Sequence, residues 1–191
     1  MSSHAYALLA RVHWPPREAA IWSLLSRHWS GARTPSRIVD IGCGPGWLAS
    51  LAASLRCDYI GVDPDPPHSV KHGRVVRGTA SDALGLIAHG DVVLLNGTAH
   101  HLDDPEFESL VGVCAGTRGL VLCDHARDSA TPIWSRMMQR LDRGRHVRDL
   151  DPMRGLSGLR LLELSRFPIR VLGLPIWDYF AAAYHPIPES A

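Results

Sequence analysis

The chain has 191 residues, of which 46% are hydrophobic, and this suffices for one sizeable core but not comfortably for two. Basic and acidic residues nearly cancel to a formal net charge of +1, so general electrostatic binding to nucleic acid or to an anionic membrane is not expected. The composition therefore predicts a single domain over residues 1–191 that acts on small molecules.

The first predicted element is a helix over residues 17–29. Apolar residues recur at helical spacing from Ala20 to Leu25, and the pair Pro15-Pro16 directly before them is typical of a helix start. Residues 1–36 are therefore expected to form a leading helical segment.

Short apolar runs alternate with helix-like segments through the middle of the chain. The runs span residues 38–41, 59–62, 75–76, 92–95 and 120–123. The helices between and after them are predicted over residues 47–55, 83–88, 105–114 and 132–141. This alternation predicts an α/β fold whose parallel sheet is covered on both faces.

The pattern changes after Gly155, where two strand-like runs follow each other without a helix between them. They span residues 159–164 and 177–184, and residues 167–175 are expected to join them because this stretch contains proline and glycine. The locally charged residues 140–154 before them are predicted to form a surface loop.

The octet from Val39 to Gly46 is an apolar strand that ends in an acid and runs into a glycine-dense turn. Gly42, Gly44 and Gly46 let the backbone take positive φ and approach a ligand where a Cβ would clash. The helix that follows presents free N–H groups at its N-terminus, which attract carboxylate or phosphate. Trp47 stands where the dinucleotide fingerprint requires its third glycine, so a dinucleotide is disfavoured.

This acid-x-Gly-x-Gly-x-Gly pattern resembles the first motif of the class I S-adenosylmethionine-dependent methyltransferases. The resemblance implies a doubly wound, mostly parallel sheet that ends in an antiparallel hairpin. It also implies S-adenosyl-L-methionine as cofactor and S-adenosyl-L-homocysteine as product, with the glycine loop and its Cys43 under the methionine moiety. Asp40 is then placed to hold the cofactor ammonium, and bracing of the loop is its alternative role.

Two further stretches match or depart from this family's cofactor motifs. Asp63 closes the second predicted strand roughly 20 residues beyond the loop, where an acid accepts hydrogen bonds from ribose hydroxyls. Asp63 and Pro64 are assigned to the cofactor, and a turn-forming acid is the alternative. Thr79 stands in place of the family's adenine-binding Asp and, with Ala80, is assigned to the cofactor. Ala80 still offers its backbone to the adenine, and Asp82 either reaches in or caps the helix.

Residues after the fourth strand should border the reacting methyl group, because the carboxyl ends of the strands face the crevice of a doubly wound sheet. Asn96 is assigned to the cofactor, and His100 and His101 resemble the paired histidines of many small-molecule methyltransferases. His101 is the first candidate for a general base, His100 the second and His125 the third. The alternative is that one of the pair packs into the helix start while the other points to solvent. No metal site is predicted, because no third ligand has suitable spacing.

The segment after the last predicted helix looks like one found in small bacterial methyltransferases of unassigned substrate. Its arginines Arg143, Arg145 and Arg148 are candidates for binding a substrate carboxylate or phosphate. The alternative is a solvated loop with local Asp–Arg pairing.

The expected function is methyl transfer to a small-molecule metabolite, with a hydroxyl as the preferred acceptor. A protein that binds S-adenosylmethionine without turning it over is the alternative, since a fold does not dictate activity. Residues 37–128 are expected to hold the cofactor, and residues 129–191 to supply an acceptor-side helix and the terminal hairpin. The oligomeric state does not follow from the sequence.

The N-terminus and the cysteines bear on the cellular compartment. Residues 1–13 hold no sustained apolar core behind a basic start, so no signal peptide is predicted, and no apolar run reaches transmembrane length. The cysteines lack close metal-ligand spacing and mostly lie in or beside apolar runs: Cys43, Cys57, Cys114 and Cys123. They predict reduced, buried thiols in a cytoplasmic protein.

Overall fold

The computed structural model describes residues 3–141 and 144–188. Seven strands form one sheet: β1 (Arg37–Ile41), β2 (Asp58–Asp63), β3 (Arg74–Arg77), β4 (Asp91–Asn96), β5 (Gly119–His125), β6 (Leu159–Val171) and β7 (Leu174–Pro186). The first five lie where the short apolar runs predict them, each extending slightly beyond the run. The prediction that the short apolar runs form strands of one sheet is therefore confirmed.

The strand order is β3-β2-β1-β4-β5-β7-β6. Strands β1 to β5 are parallel, and β7 is antiparallel to both of its neighbours. Strands β2 and β3 follow on one side of β1, whereas β4 and β5 lie on its other side. The direction of the strand order therefore reverses beside β1. Doubly wound sheets bind ligands outside the carboxyl ends of the strands at such a switch point. The predicted fold class is confirmed. A ligand site is therefore expected at the carboxyl ends of β1 and β4.

In the described part of the chain, five α-helices pack around the sheet: α1 (Ser3–His28), α2 (Ala49–Leu55), α3 (Ala80–Leu84), α4 (Asp104–Cys114) and α5 (Ile133–Leu141). The last two lie where they were predicted. α2 begins later than expected, after the turn that leaves the glycine loop. α3 begins earlier than expected, because Thr79 and Asp82 form a capping box that fixes its first turn.

The helix start predicted at Pro15-Pro16 is wrong, because α1 continues through both prolines. Proline costs nothing in a first turn but removes a hydrogen bond inside a helix, so the pair favours a start. Trp14 lies just before the prolines, and its ring centroid is 4.3 Å from that of Trp47. This tertiary contact supports the part of α1 that precedes the prolines. It cannot be inferred from local helix propensity.

The core lies on both faces of the sheet, as β4 illustrates. Val93 and Leu95 join one cluster with residues of α3 and α4, whereas Val92 and Leu94 join another with residues of α1 and α2. All four are fully buried, and each contributes roughly 1.5–3 kcal/mol relative to an exposed side chain. Burial on both faces explains why the strand reads as a continuous apolar run.

The connection predicted over residues 167–175 is wrong, because strand pairing continues through it and Ile169 pairs with Trp177. The turn is the dipeptide Leu172-Gly173, whose φ values are 50° and 82°. Positive φ at both central residues gives a tight turn that matches the twist of a hairpin. Pro168 is accommodated because β6 is the edge strand of the sheet.

A surface loop is predicted for the charged segment 140–154, but several of its described residues from 144 onward are buried. Val147, Leu150 and Met153 are buried. Gly144 lies so close to His100 that a Cβ at this position would collide with the imidazole ring. Residues 144–146 therefore pack onto the loop that follows β4.

Two predictions about cysteines and membranes concern the whole fold. All four cysteines are buried and free, and burial raises the pKa of Cys43 and of Cys114 to about 12, which makes them unreactive thiols. Within residues 3–141 and 144–188, no helix has the length and apolar character needed to cross a membrane.

Candidate functional site

A cleft of about 390 Å³ opens at the carboxyl ends of β1, β2 and β4. This volume falls within the range of about 300–1,000 Å³ that small-molecule sites occupy. Nine of the ten residues predicted to bind the cofactor line it: Asp40, Gly42, Cys43, Gly44, Asp63, Pro64, Thr79, Ala80 and Asn96. The tenth, Gly46, lies in the same loop but does not line the cleft.

The loop after β1 is shaped by its three glycines. Gly42, Gly44 and Gly46 have φ values of 71°, 51° and 73°, in the left-handed region that strains other residues. A Cβ at Gly42 would collide with Thr98 and one at Gly46 with Val70, whereas one at Gly44 would meet nothing. The outer glycines therefore let the loop pack tightly, and Gly44 presents bare backbone to the cleft.

Asp63 connects the end of β2 to this loop. Its Oδ2 accepts a hydrogen bond from the Gly44 N–H at 2.9 Å, and its Oδ1 accepts one from the Asp65 N–H at 2.8 Å. The turn role left open by the sequence is thus present. A carboxylate has about four lone-pair sites, so acceptor capacity remains for a ligand in the cleft.

Asp40 is a fully buried carboxyl group beside the loop. Its Oδ2 accepts a hydrogen bond from the Tyr59 hydroxyl at 2.7 Å, and its Oδ1 has no hydrogen-bond partner among the described residues. Burial raises the pKa of Asp40 to about 7, although the bond from Tyr59 opposes the shift. An unpartnered buried oxygen at a cleft suits a cationic donor such as an ammonium group.

The question of Asp82 is decided by its hydrogen bonds. The Thr79 N–H and hydroxyl both donate to Asp82 Oδ2 at 2.8 Å, and the Asp82 N–H donates to Thr79 Oγ1. These bonds lower the pKa of Asp82, which is exposed and caps α3 instead of reaching into the cleft. The N–H of Ala80 begins the helix and is not needed for its internal hydrogen bonds.

The loop after β4 carries Asn96 and receives a side chain from α1. The Arg17 guanidinium donates to Asn96 Oδ1 from Nε at 2.9 Å and from Nη2 at 2.5 Å. Gly97, with φ of 67°, leaves room for the guanidinium, because a Cβ there would collide with Nη2. The cleft therefore has a cation and an amide next to the predicted position of the reacting methyl group.

The three candidate histidines occupy different environments. His101 is exposed and lines the cleft, whereas His100 and His125 are buried behind it. The ring centroid of His100 is 4.2 Å from that of His101 and 4.9 Å from that of His125. The paired histidines thus divide into one packed residue and one at the cleft.

Asp124 connects the buried histidines. Its Oδ1 is 2.6 Å from His100 Nδ1 and accepts a hydrogen bond from the His125 N–H, while its Oδ2 accepts one from the His100 N–H. Donor atoms of the three residues lie within 4.8 Å of one another, a grouping that could hold a metal ion. Sequence spacing did not reveal the third donor, because His100 belongs to a different strand end.

Of the three predicted substrate-binding arginines, the two that the structure describes, Arg145 and Arg148, do not line the cleft. Arg143 lies outside the described residues, and Arg145 is exposed. Arg148 donates to the backbone oxygens of Ala99 at 2.6 Å and Leu102 at 2.9 Å, and it does not line the cleft. The geometry of Arg148 is that of a brace for the loop after β4.

Sequence reasoning missed the contribution of α1 to the cleft. Trp14 and Arg17 line it together with Trp47, a residue whose sequence position indicates only that a dinucleotide is disfavoured. No local signal marks Arg17, because its partner Asn96 lies 79 positions further along the chain. A buried guanidinium can be recognised only once the helix is packed on the sheet.

The profile of the methyltransferase domain family matches residues 13–163, and the chain belongs to this family. The predicted resemblance to class I S-adenosylmethionine-dependent methyltransferases is thereby confirmed, together with S-adenosylmethionine as the family's cofactor. A solved S-adenosylmethionine-dependent methyltransferase from Archaeoglobus fulgidus has a similar fold, with a TM-score of 0.65 and 17% identity. The match covers 94% of this chain and 99% of that protein.

Two curated relatives match part of the chain. An uncharacterized methyltransferase of Mycobacterium sp. (strain JLS) is 32% identical over 93 residues, or 46% of this chain and 36% of the relative. A ubiquinone biosynthesis O-methyltransferase of Azorhizobium caulinodans is 36% identical over 78 residues, or 36% of this chain and 31% of the relative. The matched stretch thus spans about a third of the length of either relative.

Proposed function

We propose that the chain binds S-adenosylmethionine in the cleft and transfers its methyl group to a hydroxyl of a small-molecule acceptor. The observation that carries the proposal is the unpartnered Oδ1 of Asp40 beside the bare backbone of Gly44. A buried carboxyl oxygen and a glycine loop together suit an amino-acid ammonium and its carbon chain. A buried oxygen without a hydrogen bond is destabilising, and an ammonium group that donates to Oδ1 would offset this cost.

The remaining cofactor contacts would come from residues at the same edge of the sheet. Asp63 would accept hydrogen bonds from the ribose hydroxyls with the lone pairs that Gly44 and Asp65 leave. Ala80 would offer its N–H to the adenine, while Thr79 keeps its role in the cap of α3. Residues 37–128 thus supply the cofactor site in the proposal.

His101 is the proposed general base. When bound, S-adenosylmethionine supplies an electrophilic methyl group: the acceptor oxygen's electron pair forms the new O–C bond, the C–S pair stays on sulfur, and the hydroxyl proton leaves. His101 lines the cleft and is exposed, so it can take this proton and release it to solvent. The buried pair of His100 and Asp124 positions the loop that carries it.

The hydroxyl acceptor has two supports. A histidine at the cleft is useful for a nucleophile that must lose a proton, and the Azorhizobium caulinodans relative is named as an O-methyltransferase. Another relative, from barley, is named 3-aminomethylindole N-methyltransferase, so an amine acceptor is the second candidate. Residues 129–191, with α5 and the β6–β7 hairpin, would form the acceptor side.

Calorimetry with S-adenosylmethionine and S-adenosylhomocysteine tests the cofactor site first. We expect binding of both at a 1:1 ratio, and no binding of either would end the proposal. Turnover is then screened by mass spectrometry on matched phenols and anilines. Methylation of amines alone would replace the hydroxyl acceptor, and binding without turnover on either set would favour a non-catalytic role.

The His101→Gln variant tests the base. We expect kcat to fall by about 10²-fold or more on a hydroxyl acceptor, with unchanged S-adenosylhomocysteine affinity. His185→Gln is the matched control, because His185 is also exposed but lies beyond the amino end of β5. An unchanged kcat and pH profile for His101→Gln would remove the general base from the mechanism.

A further inference from the structure

A second pocket lies at the edge of the sheet opposite the cofactor cleft. Gly90 and Arg118, which line it, directly precede β4 and β5, so the pocket is at the amino ends of these strands. Its volume is about 510 Å³, and small-molecule sites occupy about 300–1,000 Å³. The proposed methyl transfer makes no use of this pocket.

The charged side chains around this pocket are basic. Within the described part of the chain no carboxylate lines it, whereas three arginines and three histidines do: His28, Arg33, His89, Arg118, Arg160 and His185. The whole chain has 20 basic and 19 acidic residues, so the absence of acids is local. The pocket therefore has a positive character that the net charge of the chain does not indicate.

The arginines of the pocket have hydrogen-bond partners but no ion-pair partners. Arg33 Nη2 donates to the backbone oxygen of Arg27 at 2.9 Å, and Arg118 Nε donates to that of Arg33 at 3.0 Å. These bonds hold the two guanidinium groups in place without neutralising them, because a carbonyl oxygen carries no net charge. Among the described residues, no carboxylate forms an ion pair with Arg33, Arg118 or Arg160.

Two sources of negative charge beside the pocket are too small to balance these arginines. Glu163 on β6 already pairs with Arg27 and His28. The C-terminus of α1 lies at the pocket, because His28 and Trp29 line it, and a helix end carries about half a negative charge. Half a unit of charge does not balance three guanidinium groups, so a net positive charge remains.

The pairing of β6 with β7 adds an independent observation. Arg160 and His185 are directly opposite each other across these two strands, and both line the pocket. Like charges in this arrangement are destabilising, so the pair is unfavourable whenever His185 is protonated. An anion bound between the two side chains would remove this repulsion.

We propose that this pocket binds a phosphorylated small molecule, whose phosphate is held by Arg33, Arg118 and Arg160. A phosphate monoester carries about −1.5 to −2 charges near neutral pH, and guanidinium groups match its oxygens with bidentate hydrogen bonds. Leu162 and Pro186 add apolar surface for the organic part of the ligand. The site is separate from the cleft, so its ligand binds whether or not the cleft is occupied.

Titrations with phenyl phosphate and phenol test the pocket. The two probes share a ring and differ in the phosphate, and both are titrated with NMR detection into the whole 191-residue chain, which includes Glu189 outside the described residues. We expect phenyl phosphate to bind at least about tenfold more tightly than phenol and to weaken as salt is raised. Equal affinities, or no binding of phenyl phosphate, would overturn the phosphate site.

The same titrations with and without S-adenosylhomocysteine locate the bound probe. We expect the affinity for phenyl phosphate to stay within about twofold, because the two pockets lie at opposite edges of the sheet. Competition between phenyl phosphate and S-adenosylhomocysteine would place the phosphate in the cleft and overturn the inference. A failure of S-adenosylhomocysteine to bind would count against the proposed function alone.

Two variants assign the phosphate to named arginines. Arg160→Gln and Arg33→Gln should each weaken phenyl phosphate binding by about tenfold, since each removes a charged hydrogen bond. Both side chains are exposed, so the fold should tolerate the changes, which urea titration checks. Arg74→Gln is the matched control, because Arg74 is also an exposed arginine of an edge strand, but at the other side of the sheet. Unchanged binding in both pocket variants, or equal weakening in Arg74→Gln, would contradict the site.

A short single-stranded DNA distinguishes a pocket for one phosphate from a surface for a polyanion. We expect it to bind no more tightly than phenyl phosphate, because the arginines surround a single pocket instead of following an extended groove. Tighter binding of the DNA that is lost in Arg160→Gln would replace the small ligand with a nucleic acid.

Discussion

Asp40 and Asp124 are both buried near the carboxyl ends of parallel strands, yet their pKa values move in opposite directions. Burial raises the pKa of Asp40 to about 7, and the single bond from Tyr59 only partly offsets it. Burial acts in the same direction on Asp124, but the charge and hydrogen bond of His100, with His125, bring its pKa below the ordinary value.

The difference teaches how two similar strand ends acquire different roles. Both oxygens of Asp124 accept hydrogen bonds from within the chain, so this carboxylate is a structural brace between β5 and the loop after β4. Asp40 keeps one oxygen without a partner at the edge of the cleft. A complete set of bonds stabilises the fold, whereas an incomplete set keeps binding capacity for a ligand.

Replacement of Asp124, which braces β5 against the loop after β4, is expected to have the largest effect on stability. Asp124→Ala leaves His100 and two backbone N–H groups without their acceptor, so the free energy of unfolding should fall by about 3–5 kcal/mol in urea titrations. Asp124→Asn, which keeps an acceptor oxygen, should lose less. Asp149 is the exposed control, and a loss no greater than that of Asp149→Ala would contradict the brace.

The second effect is a pH dependence at Asp40. Because its folded-state pKa of about 7 exceeds the ordinary 3.8, its contribution to stability is fully present below pH 3.8 and is lost as pH rises toward 7. A shift of about three units corresponds to on the order of 4 kcal/mol at most. Asp40→Asn should remove this dependence, which urea titrations between pH 4 and pH 8 measure relative to the wild type.

Cofactor binding gives a second readout of the same group. A bound ammonium should lower the pKa of Asp40, so a proton is released on binding S-adenosylhomocysteine near pH 7. Calorimetry in buffers with different ionisation enthalpies measures this release, and Asp40→Asn should not show it. Equal proton release in both proteins would show that Asp40 does not meet the ammonium.

A smaller effect is expected at Asp63, whose carboxylate both accepts hydrogen bonds from within the chain and lines the cleft. Asp63→Ala removes the acceptor of the Gly44 N–H and, in the proposed function, of the ribose hydroxyls. The affinity for S-adenosylhomocysteine should fall by about 1–3 kcal/mol. Calorimetry at one salt concentration measures it, and an unchanged affinity would leave Asp63 with the turn role alone.

The smallest effect is expected at Asp82, an exposed carboxylate whose Oδ2 accepts two hydrogen bonds from Thr79. Its pKa is lowered by the backbone and side-chain bonds of Thr79, so its stabilising effect is present above the ordinary pKa of 3.8 and lost as pH falls further. Asp82→Ala should slightly lower the melting temperature at neutral pH and leave S-adenosylhomocysteine affinity unchanged. A marked loss of affinity would return Asp82 to the adenine site.

Much of the cofactor half could be predicted because its signals are local. The strand, the acid and the three alternating glycines stand within eight residues, and Asp63 follows in the next strand. The glycines act through their own backbone, and each acid stands at the end of a strand at the spacing that the family's motifs have, so spacing is enough to find them. The contribution of Arg17 to the cleft could not be predicted, because its contact with Asn96 joins segments that are far apart in the chain.

The sequence by itself determined the alternation of strands and helices, the glycine loop and the family, because these depend on periodicity and on short-range backbone geometry. Only the tertiary structure decided that α1 runs through its prolines, that Arg17 enters the cleft and that His100 is buried while His101 faces it. Those outcomes depend on which side chains the packed sheet brings together. Burial and hydrogen bonding between residues far apart in the chain leave no trace in local propensity.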